Sequence, residues 1–123
     1  MRLLHDRSHS RKPGSEYLSI PRFRVLKPGT YSRVAVAVSA NAPGWTRAGR
    51  LDLISRVDSS RLEVIAQQIS VPLNQEPILI ELPGGQEVRY FAFEAWRSRR
   101  AGFARFRLKI WAEDYSSPGG QSA

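Results

Sequence analysis

The chain contains no cysteine. Disulfide bridges, thiolate nucleophiles and cysteine-based zinc sites are therefore excluded. Histidine is nearly absent as well. His5 and His9 are the only two, and a Ser-His-Asp triad finds no histidine in the body of the chain. No glycine-rich phosphate loop occurs, because Pro83-Gly84-Gly85 precedes a strand pattern and not a helix. No apolar run approaches the roughly 18 residues of a membrane helix. The opening residues, Met1 to Asp6, lack an apolar stretch of signal-peptide length. These absences predict no membrane partner, no cofactor, and a protein made and used in the cytoplasm or in a particle assembled there.

What is present is enough for one domain. The 123 residues are 41% hydrophobic and 24% charged, which is ordinary for a folded protein. Three Trp, four Tyr and five Phe supply the large apolar surfaces a core requires. Wholesale disorder is excluded on that ground.

Between Tyr17 and Ala112 the pattern is strand after strand. Residues 17–26 alternate Phe23 and Val25 against Arg22 and Arg24, with Pro21 marking an edge or a bulge. Lys27-Pro28-Gly29-Thr30 has the composition of a turn. Residues 31–40 alternate Val34, Val36 and Val38 against Ala35 and Ala37, and small residues opposite valines suggest that both faces are partly covered. Further strands are expected over 50–57, 77–83, 86–96 and 103–112. In the last, Phe106, Leu108 and Ile110 share one side. Residues 61–71 carry both a helical spacing and β-branched residues; strand is favoured by Val64, Ile65, Ile69 and Val71. The fold class is thus all-β, with about seven antiparallel strands in a two-layer sandwich of immunoglobulin-like or jelly-roll type. Residues 1–16 read as a basic extended arm, 17–112 as the sandwich, and 113–123 as a tail.

The formal charge is +8, and it is unevenly laid out. Residues 17–50 hold six basic groups and no acidic one, as do residues 96–112; residues 51–95 hold three basic and seven acidic groups. Such sorting suits a polyanion or a second copy of the chain. The cations are 16 Arg and three Lys, which favours bidentate pairing with carboxylate or phosphate. The densest cluster is the C-terminal hairpin. Arg97, Arg99 and Arg100 lie in its turn, and Arg105, Arg107 and Lys109 follow at spacing two, on one face with Phe103 and Trp111. Arg22 and Arg24 extend this patch if the first strand lies nearby. In the arm, Arg2, Arg7, Arg11 and Lys12 add to the basic surface. Three uses fit: a docking face for an acidic neighbour such as the 51–95 region of another copy, a nucleic-acid grip, or a solvated edge.

Other constellations are weaker. His5 and His9, four apart, lack a third metal ligand and read as ordinary arm residues. Glu81, Glu87 and Glu94 form an acid pair only if neighbouring strands set their separation. Trp45, Trp96 and Trp111 form a sugar platform only if their rings are exposed.

A small β-domain with a basic arm and no catalytic motif resembles, in general style, small virion components such as the capsid cement, decoration or head–tail joining proteins of tailed bacteriophages. The likeness spans the whole chain, rests on no motif, and transfers no residue roles. It implies a non-enzymatic virion subunit, assembled in the host cytoplasm and docked on other subunits, copies of itself among them. A nucleic-acid-binding β-domain is the alternative, and a carbohydrate-binding module the third.

Overall fold

In the computed structural model, residues 1–10, 17–40, 48–57, 62–96 and 105–116 are described. They form six strands and no helix: β1 Arg2–Ser10, β2 Tyr17–Ala40, β3 Ala48–Val57, β4 Leu62–Pro72, β5 Ile78–Trp96 and β6 Arg105–Asp114. The strands make one sheet in the order β1-β6-β2-β5-β3-β4, with every ladder antiparallel. The all-β antiparallel class is as expected. The two separate sheets and the seventh strand are not found among the described residues.

Two long strands explain the difference. β2 has 24 residues and β5 has 19, well beyond ordinary strand length. Lys27-Pro28-Gly29-Thr30 and Pro83-Gly84-Gly85, expected as turns between strands, lie inside them. Arg24 faces Tyr90 and Gly29 faces Val88, so β2 carries four residues, 25–28, where β5 carries one. Tyr31 faces Gln86 and Arg33 faces Glu81, so β5 then carries four, 82–85, where β2 carries one. The slip made at the first bulge is undone at the second, and the ladder resumes in its former register. Each bulge bends its strand. Gly84 and Gly85 sit at φ 75° and 76°, where a side chain is strained. Tyr31, buried, donates its hydroxyl hydrogen to the Lys27 carbonyl and braces the β2 corner.

The bends fold the sheet over. β1 and β5 are separated by two strands in sheet order, yet the ring of His5 in β1 lies 4.7 Å from Phe91 in β5 and 5.0 Å from Phe23 in β2. One continuous core results, joining Val34, Val36 and Val38 to Leu51, Leu53, Phe91, Phe93, Phe106, Leu108 and Ile110. Strands that bend through two layers at bulges are one way of making sheet corners. Pro21 falls at a register shift between Ile20 and Phe23, which is the bulge its missing N–H requires.

Residues 62–72 form a strand, as the β-branched residues argued. Its pairing with β3 is broken at Gln68, which takes φ 52°. Asp52 Oδ1 accepts the Gln68 N–H at 2.6 Å, supplying the partner that the ladder no longer offers. At the end of β4 the chain returns to β2. Leu73 bridges Val38, the Asn74 N–H donates to the Val38 carbonyl at 2.8 Å, and Asn74 Oδ1 accepts from the Ala40 N–H at 2.8 Å.

The N-terminal arm requires correction. Residues 2–10 form a strand paired along β6, from Arg2 opposite Ala112 to Ser10 opposite Arg105. Residues 11–16, the rest of the expected arm, lie outside the described residues. The tail begins later than expected, because β6 runs to Asp114. Among the described residues no helix is long and apolar enough to cross a membrane.

Candidate functional site

β6 sits between β1 and β2, so its two faces are defined by plain alternation. Phe106, Leu108, Ile110 and Ala112 are buried, while Arg105, Arg107, Lys109 and Trp111 point to the outer face. That part of the basic hairpin stands as read. Arg97, Arg99, Arg100 and Phe103 lie outside the described residues, as do Arg11 and Lys12. The side chain of Arg22 is likewise outside them, and Arg24 is exposed on β2.

The structure gives the outer-face cations local partners. Arg107 makes a two-pronged contact with Asp6 of β1, Nε to Oδ1 at 2.8 Å and Nη2 to Oδ2 at 3.1 Å. The Arg107 guanidinium hydrogen-bonded to Asp6 holds that carboxyl below its ordinary range, with Lys109 adding to the effect. Arg2, on the opposite face in line with Ala112, reaches Asp114 at 3.2 Å. Arg33 reaches Glu81 at 2.7 Å and Glu113 at 3.9 Å. A continuous phosphate-binding surface needs cations left for the ligand. On this face the carboxylates of the same sheet already claim several.

Cross-strand register reveals what the charges surround. Leu3 lies opposite Trp111, Trp111 opposite Ala35, and Ala35 opposite Leu79. These four residues form one row across β1, β6, β2 and β5. Partners in an antiparallel ladder share a face. Leu79 is 58% exposed and Leu3 40% exposed, while Ala35 between its larger neighbours is only 5% exposed. An apolar stripe thus crosses four strands, exposed at its Leu3 and Leu79 ends and half-buried at Trp111, with charged residues on either side.

Leu3 and Leu79 escaped the sequence reading. Leu79 carried a signal: it is the outward position between Ile78 and Ile80, where alternation calls for a polar residue. Leu3 was hidden because β1 does not look like a strand. Leu4 is the one aliphatic side chain that β1 sends into the core; His5, His9 and the exposed Arg7 take the other positions on that side, and a bulge at Leu4 breaks the period.

His5 and His9 are therefore not ordinary arm residues. Their rings stack with centroids 5.2 Å apart, and their Nε2 atoms lie 3.0 Å apart. One imidazole donates and the other accepts, which requires at least one neutral ring. Burial lowers the pKa of both. For His5, with repulsion from His9 and Arg7 added, it falls to about 4. Arg7 stands over the Phe23 ring at 5.2 Å and closes the cluster. Among the described residues no group of three potential metal ligands occurs.

The remaining constellations are dispersed. Glu81, Glu87 and Glu94 lie on one strand, β5, and not on neighbouring strands. Glu81 pairs with Arg33, Glu87 with Arg89, and Glu94 stands opposite Arg50 in the ladder. A shallow cavity of about 220 Å³ touches Glu94, Arg50, Asp52 and Gln68, but Asp52 is committed to the Gln68 bulge. Trp45 and the side chain of Trp96 lie outside the described residues; Trp111 belongs to the apolar row. No family model, curated protein or solved structure matches this chain.

Proposed function

We propose that this protein is a non-enzymatic subunit of a larger protein assembly, docking on its neighbours through the outer face of β1, β6, β2 and β5. The observation that carries the reading is the aligned row of Leu3, Trp111, Ala35 and Leu79, exposed at Leu3 and Leu79 and half-buried at Trp111. Apolar side chains aligned on a solvent face lower solubility unless a partner covers them. The row has the anatomy of an interface, an apolar centre with an aromatic anchor and a charged rim. The specific form we propose is a virion component of the cement, decoration or head–tail joining kind, assembled in the host cytoplasm. The general resemblance of a small β-domain without catalytic motifs supports it. Residues 2–10 of the expected arm enter this reading as β1 of the chain's own sheet, with Leu3 in the row.

Hydroxyl-radical footprinting tests the docking face. Trp111 is compared in the protein within its native particle or extract and in the isolated chain. The expected result is protection of Trp111 in the native setting; equal labelling overturns the reading. Nucleic-acid binding remains the second reading, supported by Arg105, Arg107 and Lys109 on one strand face. It predicts binding of a short oligonucleotide that weakens steeply across roughly 50–500 mM salt, with a flatter slope for Arg105→Ala/Arg107→Ala.

A further inference from the structure

We infer that the occupant of this face is a second copy of the same chain, related by a two-fold axis lying along the apolar row. The inference rests on the docking reading and names its partner. Its basis is the charge layout on the two sides of the row.

Two residues from Trp111 in one direction along β6 is Glu113; two residues in the other is Lys109. Among the described residues, on the Glu113 side the face carries Glu113 and Glu81 against Arg33, two carboxylates to one guanidinium. On the Lys109 side it carries, among the described residues, Arg105, Arg107 and Lys109 against Asp6, three cations to one carboxylate. The face is therefore polar along the strands, acidic at one end and basic at the other, with the apolar row at its waist.

A two-fold axis along that waist turns the second face over and exchanges its ends. Each acidic end then lies on a basic end, and the apolar rows meet in the middle. Because Lys109 and Glu113 are equally distant from Trp111 in sequence, Lys109 of each copy faces Glu113 of the other. The same patch serves both partners, as an isologous interface requires. No other partner has to be supplied with matching charge. Two twisted sheets stacked in this way bury their facing side chains between layers ~10 Å apart. Four strands make a small face, so the association is of the concentration-dependent kind and not of the obligate kind.

The test is sedimentation equilibrium of the purified full chain from low micromolar to millimolar concentration, with charge-exchange variants alongside. Wild type is expected to rise from 13.9 kDa toward twice that mass. Lys109→Glu and Glu113→Lys each place like charges across the axis, and each is expected to remain at the single-chain mass. Lys109→Glu/Glu113→Lys restores opposite charges and is expected to recover the doubled mass. Far-UV circular dichroism confirms that each variant folds. A wild type that stays at the single-chain mass overturns the two-fold proposal, whatever the variants do. So does a dimer indifferent to the exchanges, which points to pairing along a terminal strand, β1 or β4. Neither outcome touches the docking reading, which falls only if Trp111 is labelled equally in its native setting.

Discussion

The inner and outer faces of β6 are made by the same ten residues and have opposite duties. The inner face, Phe106 to Ala112 by twos, is wholly buried and touches both halves of the folded sheet. The outer face, Arg105 to Trp111 by twos, meets Asp6, Leu3 and Ala35 at the surface. On the docking reading, one backbone separates stability from recognition by a single residue of register. Substitutions inside should change folding, and substitutions outside should change association alone. That separation can be broken by experiment.

The largest expected effect is on the inner face. Phe106→Ala removes a fully buried ring from the middle of β6. Chemical denaturation should show a loss of about 3–5 kcal/mol. A loss below about 1 kcal/mol would mean that the two halves of the sheet do not share a core.

Next is the histidine pair, where a polar cluster occupies core positions of β1. His5 has its pKa lowered from 6.5 to about 4, and His9 shifts the same way. Both are neutral in the folded protein near neutral pH. The unfolded chain binds protons first, so stability is complete above pH ~6.5 and falls as pH drops toward ~4, by about 1.4 kcal/mol per unit from His5. The Asp6–Arg107 contact titrates lower still, because the folded carboxyl is depressed below 3.8. Thermal melts of His5→Leu should show a shallower pH dependence between ~6.5 and ~4, with His9 left to contribute. An unchanged slope would place the acid sensitivity elsewhere.

The same histidines show what the sequence disclosed and what it concealed. Strands with aliphatic residues on one side were legible: Phe106, Leu108 and Ile110 are buried as alternation demands, and residues 62–72 follow their β-branched composition. β1 was not legible, because only Leu4 of its inward residues is aliphatic, the bulge there puts it next to His5 out of period, and His5, Arg7 and His9 pack on Phe23 and Phe91 where leucines would have announced a strand. The strand count went to seven for a different reason. Pro28-Gly29 and Gly84-Gly85 are turn compositions, and local chemistry cannot distinguish a turn that ends a strand from a bulge that bends one. Only the compensating register of β2 and β5 makes that distinction. Of the candidate site, the outward cations and Trp111 could be read from spacing. The apolar row could not, because it runs across four strands and no two of its members are close in sequence.

A smaller effect concerns how the inner face is sealed. Asn74 holds φ 58° and clips the end of β4 to Val38 and Ala40. Asn74→Ala loses the side-chain acceptor and strains the backbone, and should cost about 1–2 kcal/mol. Asn74→Gly keeps the backbone at ease and should cost less. Equal losses in the two variants would assign the whole effect to the Ala40 contact.

The smallest expected effect is the most informative for the outer face. Leu79 sits two strands from Trp111 with more than half its surface in solvent. If it serves only a partner, the isolated chain owes it nothing. Threonine brings the β-branched shape that strands favour and removes the greasy surface. Leu79→Thr should leave the denaturation midpoint within about 0.5 kcal/mol of wild type. The same variant should lower the apparent mass at high concentration. A loss of stability above about 1.5 kcal/mol would make Leu79 part of the fold's own packing, closing over Ala35 from one side. In that case the row would be a second, shallow core and not a docking face.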